Sequence, residues 1–141
     1  MRNAEFGMRN DSNELLKRTK AFALCTIEFV ESLPSGKTLD VLGRQLLRSA
    51  TSVGANYRAA CRAKSRADFV NKMGTVEEEA DESAYWLELM REAGLTCHSK
   101  LAELEEEAGQ ITAMVVASIK SARSRMQFAN SALRTPHSAF S

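Results

Sequence analysis

From Ser12 onward, apolar residues recur every three or four positions, the spacing that places them on one face of a helix. In the first run Leu16, Ala23, Ile27 and Val30 share a stripe, and Leu15, Phe22 and Phe29 widen it. Asp11 or Ser12 is placed to cap its start. Leu33-Pro34-Ser35-Gly36 ends it, because proline disfavours helix in the residue before it. The pattern predicts a second helix from about Leu39 to about Ala63, with Leu39, Leu42, Leu46, Val53, Tyr57 and Ala60 inward, close to heptad spacing. Ser65 and Asp68 then form a Ser-x-x-Asp box that restarts the chain as a third helix. Its inward residues are Phe69, Met73, Val76, Ala80, Leu87 and Met90, and Gly94 stops it. A fourth helix, capped by Thr96 or Ser99, carries Leu101, Leu104, Ala108, Ile111, Val115, Ser118 and Ala122, and is expected to fray by Arg125.

Four long amphipathic helices with short connections make an all-α protein, an antiparallel up-down-up-down four-helix bundle over residues 12–125. No alternating strand pattern occurs in the sequence. Residues 126–141 are small, polar and without periodicity, and together with residues 1–11 they are expected as disordered tails. The triplet Met1-Arg2-Asn3 recurs as Met8-Arg9-Asn10, which fits an alternative start at Met8 or an upstream extension.

Charge changes the picture more than composition does. The net charge of +1 conceals a strong segregation. Residues 37–66 hold seven basic side chains against Asp40, whereas residues 67–107 hold twelve acidic against three basic. On a helical wheel at about 100° per residue, Arg44, Arg48, Arg58 and Arg62 fall on one line opposite Leu46 and Val53, about 27 Å long. Thr51 and Ala55 lie between them and leave the backbone approachable. Gly54 borders this line, and a mid-helix glycine costs about 1 kcal/mol relative to alanine unless a close contact offsets it. On the third helix Glu78, Asp81, Glu82, Glu88 and Glu92 lie away from Val76 and Leu87. Outward charges on bundle helices are ordinarily solvated, and exposed ion pairs contribute ~0–1 kcal/mol each. Arginine at every position of the basic line suits bidentate pairing with carboxylate or phosphate instead.

The remaining chemistry is sparse. Length and 44% hydrophobic content fit one soluble domain with its own core, and no apolar run has the length of a membrane span. The first twelve residues hold no apolar run resembling a secretion signal. Cys25, Cys61 and Cys97 are odd in number and widely spaced, which fits a reducing cytoplasm better than a disulfide framework or metal site. Cys25 and Cys61 sit among apolar or small neighbours and read as packing residues. The acidic run from Glu77 to Glu82 lacks the Glu-x-x-His pattern of di-metal bundles, since neither His98 nor His137 supplies it. Glu79 tends inward, near Lys72, towards a basic group at the core edge. No metal, cofactor, catalytic residue or small-molecule substrate is expected. Tyr85 and Trp86 fit a helix–helix or subunit seam better than base stacking.

These residues also resemble a known family. The likeness runs through Arg18-Thr19-Lys20-Ala21-Phe22-Ala23 and then the unbroken stretch from Gly43 to Arg62. It continues through Ala67-Asp68-Phe69, Glu78-Glu79-Ala80-Asp81-Glu82 and Tyr85-Trp86-Leu87-Glu88-Leu89, and spans roughly residues 12–125. The chain resembles the four-helix-bundle proteins called 23S ribosomal RNA intervening-sequence proteins. The resemblance implies an antiparallel four-helix bundle, association as a pentameric ring, and no established enzymatic activity. A related accessory protein of diversity-generating retroelements forms a basic barrel that binds a reverse transcriptase and nucleic acid. This chain departs from that protein in its near-neutral charge.

Two functions are therefore expected. The first is a non-catalytic, cytoplasmic, homo-oligomeric scaffold, a pentamer. Arg44, Arg48, Arg58 and Arg62 of one copy would meet Glu78, Asp81, Glu82, Tyr85 and Trp86 of the next. The alternative is an RNA- or DNA-binding accessory protein that uses the arginine line, with Arg123, Arg125 and Arg134 of the tail.

Overall fold

The computed structural model describes the backbone of residues 2–96 and 99–139, and the side chains of residues 11–96 and 99–133. Four helices account for nearly all of it: α1 (Arg2–Glu31), α2 (Lys37–Cys61), α3 (Arg66–Glu92) and α4 (Ser99–Ala139). Each packs on its neighbours in chain order, and α4 closes the square against α1. Among the described residues α1 and α3 make no direct packing contact, nor do α2 and α4, so each of these pairs lies on a diagonal. This is the expected up-down-up-down bundle.

The breaks between helices have local causes. After α1, the backbone N–H groups of Ser32 and Leu33 still bond back to Glu28 and Val30, and Pro34 then prevents the turn from continuing. At the start of α3 the Ser65 hydroxyl accepts the Asp68 backbone N–H at 3.1 Å. Asp68 in turn accepts from the Lys64 backbone N–H at 3.2 Å and from Lys72 Nζ at 2.7 Å. The reciprocal half of the box thus falls one residue early, on Lys64. Gly94 ends α3 with φ +64, a left-handed conformation that glycine adopts without steric cost.

The core follows the predicted stripes with three shifts of register. In α1 the inward line is Leu15, Phe22 and Phe29, filled out by Thr19 and Thr26, whereas Ile27 faces solvent and Leu16, Ala23 and Val30 are half-buried. The threonines are tolerated inside because each hydroxyl bonds a carbonyl one turn back, Thr19 to Leu15 at 2.8 Å and Thr26 to Phe22 at 2.7 Å. In α4 the inward residue is Ile119 and not Ser118. Leu42 and Phe69 border the core and are not within it.

Helix also continues into both segments expected as tails. α1 begins at Arg2, upstream of the Asp11 or Ser12 cap, and α4 passes Arg125. Past Ala122 the exposed Phe128 and Leu133 show that packing does not hold this end of α4. Cooperative propagation, one hydrogen bond per added residue, continues the helix there.

Two close approaches fix α2 in place. An added Cβ at Gly54 would lie 3.4 Å from the Thr19 carbonyl oxygen of α1, so this glycine is where the two backbones meet. On its other side, the Ser83 and Ser49 hydroxyls bond at 2.9 Å between α3 and α2, both fully buried.

Replacing the α3 cap by Ser65→Ala is expected to cost about 1 kcal/mol, seen as a loss of about 3 °C in Tm. Acid should expose the same turn. Lys72, and next the Lys64 N–H, hold the Asp68 carboxyl below its ordinary range. Its stabilising effect is therefore full above the unfolded carboxylate pKa and is lost as pH falls through the lowered folded value. Asp68→Asn should flatten that part of a melting-temperature profile against pH.

Candidate assembly faces

With α2 wedged between α1 and α3, its outward side is determined by helix geometry. Arg44, Arg48, Arg58 and Arg62 are all exposed there, as the spacing predicts. The four are not equivalent. Arg48 leans across the groove onto α3, where Nη1 lies 3.4 Å from Glu79 Oε2 and Nη2 bonds Glu82 Oε1. The Glu82 hydrogen bond, followed by the nearby charges of Glu82 and Glu79, raises the Arg48 pKa above its ordinary value. Arg48 and Glu82, expected on facing surfaces of two copies, are thus brought together within one chain. Glu79 finds its basic partner in this same arginine, while Lys72 goes to Asp68.

Arg44, Arg58 and Arg62 have no acidic partner among the described residues. On α3 Glu78 and Asp81 are likewise exposed without a basic partner among the described residues, whereas Glu88 and Glu92 lie in the field of Arg91 and, after the Glu105 hydrogen bond, help to raise its pKa. Tyr85 stands among them, 52% exposed, with its ring centroid 5.2 Å from that of Trp86 and tilted by 57°. Trp86 turns towards the core edge, where its indole N–H is buried without an acceptor among the described residues. The structure therefore keeps Arg44, Arg58 and Arg62 on α2, and Glu78 and Asp81 on α3, without opposite partners among the described residues.

Sequence spacing did not disclose the polar clamp between α1 and α4. Arg18 reaches across with Nε 3.3 Å from Glu107 Oε2 and Nη2 bonded to Glu107 Oε1, a two-point grip. The same Nη2 donates to Gln110 Oε1 at 2.6 Å, and Nη1 lies 3.3 Å from Met114 Sδ. Glu107 raises the Arg18 pKa, first by hydrogen bonding, against the opposing effect of burial. Lys100 with Glu28 adds a second tie between α1 and α4, and Arg91 with Glu105 ties α3 to α4. A residue four positions from Glu14 on the edge of the core stripe was the available signal for Arg18.

At the end of the bundle where α2 passes into α3, a cleft of about 830 Å³ opens between the helices. Tyr57, Cys61, Phe69 and Arg125 are among its walls. The Tyr57 hydroxyl donates to the Ser12 carbonyl at 3.4 Å, and burial, with the neighbouring Cys61 thiol, pushes its pKa up. Cys61, expected inside, is exposed at this end, and Cys25 is half-buried against the core. Cys97 and His98 lie outside the described residues, as does the side chain of His137. Among the described residues no three His, Cys, Asp or Glu side chains gather as a metal ion would require. No helix, over the same residues, is long and apolar enough to cross a membrane.

The clamp and the surface pair should separate in a melting experiment. Arg18→Ala is expected to cost about 1 kcal/mol, since it removes a half-buried two-point contact. Arg48→Ala should cost less, because exposed pairs are screened. Equal losses would contradict this ranking.

The comparisons with known proteins bear on the whole bundle. The model of the family described as 23S rRNA-intervening sequence protein matches residues 11–117, which include both charged faces. Among solved structures, the chain is similar to a protein with unknown function from the S23 ribosomal protein family of Bacteroides thetaiotaomicron VPI-5482. The two are 32% identical with a TM-score of 0.72, and the match covers 78% of this chain and 98% of that one. No curated protein matches. Neither likeness names a catalytic activity. Four packed helices, the match from Asp11 into α4 and the identity of a nearly full-length solved relative agree: the chain belongs to the 23S rRNA-intervening sequence protein family.

Proposed function

We propose that this protein is a non-catalytic cytoplasmic scaffold that works as a homo-oligomer, a ring of five copies. One observation carries the reading. Arg44, Arg58 and Arg62 on α2, and Glu78 and Asp81 on α3, are exposed without opposite partners among the described residues. Of the four arginines, Arg48 alone bridges to the acidic side of α3 within a chain, which leaves the others for a partner. A second copy supplies one, with its acidic face on the first copy's basic face, and such a head-to-tail contact repeats until it closes. Arginine favours this use, because its planar fork pairs with carboxylates at two points.

Arg58→Glu and Arg44→Glu should each lower the solution mass measured by light scattering while helix content stays constant. An assembly unchanged by both would sink the proposed contact. Arg48→Glu should disturb the α2–α3 groove within a chain instead, because its acidic partners are intramolecular.

A second reading stands on the same three free arginines. They form a line that could follow a phosphate backbone, with Arg123 and Arg125 exposed or half-exposed on α4. RNA or DNA binding of this kind weakens with salt, with a log–log slope of about −0.7 to −0.9 per phosphate contact. With three arginines engaged, the slope should be roughly −2 to −3. A slope near zero, or no binding to single-stranded or structured RNA at low salt, would remove this reading.

A further inference from the structure

At the end where α2 passes into α3, the core gives way to small side chains. Ala60 of α2 and Ala117, Ser118, Ser121 and Ala122 of α4 converge there, and about 830 Å³ stays open between the helices. Leu15, Leu16, Phe69 and Met114 are the larger walls. From Met114 to Arg125 the cleft follows α4 for about 16 Å, by the helical rise per residue. Small ligands occupy clefts of this kind: roughly 300–1,000 Å³ between the helices of a bundle, mostly apolar, with a few converging polar groups.

The polar groups give the cleft a direction. On its α1–α2 side Tyr57 is 2% exposed, and its hydroxyl reaches the Ser12 carbonyl only at 3.4 Å, long for an O–H···O bond. Asp11 stands on that side too: burial first, then the Cys61 thiol and last the Asp11 charge raise the Tyr57 pKa. On the α3–α4 side the wall is basic. Arg66 begins α3 and is exposed, while Arg125 of α4 is half-buried in the cleft. Neither arginine has an acidic partner among the described residues.

We propose that this cleft binds a small amphipathic anion, a carboxylic acid with an extended alkyl body. The carboxylate pairs with Arg66 and Arg125, since a guanidinium matches it at two points. The alkyl chain lies along α4 against Leu15, Leu16, Phe69 and Met114, in the room that the small residues leave. Two arginines against Asp11 alone favour an anion over a cation, and Asp11 repels the head group from the Tyr57 side. Removal of the apolar body from water supplies most of the affinity. The site shares no residue with the faces proposed for assembly, so each stands or falls without the other.

The probe is dodecanoate, whose extended chain is comparable in length to the cleft. It is titrated into the full chain by calorimetry below its micelle concentration, with dodecylammonium as the cationic control. One saturable site per chain is expected for dodecanoate, and clearly weaker binding for dodecylammonium. Arg66→Gln and Arg125→Gln should each weaken dodecanoate roughly tenfold. Ser121→Phe fills the cleft from an exposed wall position, so it should abolish binding while circular dichroism and melting match the wild type. Ala117→Phe, also exposed on the wall, takes its place if Ser121→Phe misfolds. The proposal is overturned by the absence of a saturable site or by equal affinity for the two amphiphiles. Dodecanoate binding unmoved by both glutamine variants, or retained in a folded phenylalanine variant, overturns it as well.

Discussion

The close approach of α2 to both of its neighbours is the constraint on which the remaining structure depends. Gly54 lets the backbone of α2 meet that of α1 at Thr19, and the Ser49–Ser83 hydrogen bond holds α2 to α3 from the other side. A side chain larger than alanine at Gly54 would push α1 and α2 apart, and bulk at Ser49 would break the buried hydrogen bond to Ser83. With its rotation determined from two directions, α2 has one side left for water, and its arginines lie there. Arg48 alone of the four is close enough to α3 to be neutralised within the chain. The other three are left as a surface, not as part of the fold.

Charge by itself would make a poor joint between copies. Exposed ion pairs are screened by salt and offset by the entropy of ordering long side chains. A lasting contact needs apolar area removed from water, and the bundle exposes it at Leu24 and Ile27, and again at Val41 and Tyr85. In the proposed assembly, charges would set the orientation of that contact.

Most of the architecture was legible in the sequence because heptad spacing in α2, α3 and α4 leaves one choice of inward face. The Ser65 cap and the Gly94 stop were equally plain, since each rests on a local chemical rule. α1 was misread for a physical reason: with leucine on both sides and Ile27 opposite Phe22 and Phe29, periodicity cannot say which side turns inward. Phe22 and Phe29 turn inward, and Leu24 and Ile27 are left exposed. Threonine and serine at Thr19, Thr26, Ser49 and Ser83 obscured the core stripe, as their burial depends on hydrogen bonds that spacing cannot show. The arginine line was visible, yet the loss of Arg48 to Glu82 needed the distance between two helices.

The central claim is that opposite surfaces of one bundle join copies head to tail into a closed ring. Native mass spectrometry of nuclease-treated protein tests it most directly. The account predicts one dominant closed species of five chains, each of 15.6 kDa, without bound nucleic acid. A single chain, or an open-ended ladder of chain numbers with no dominant species, would contradict it.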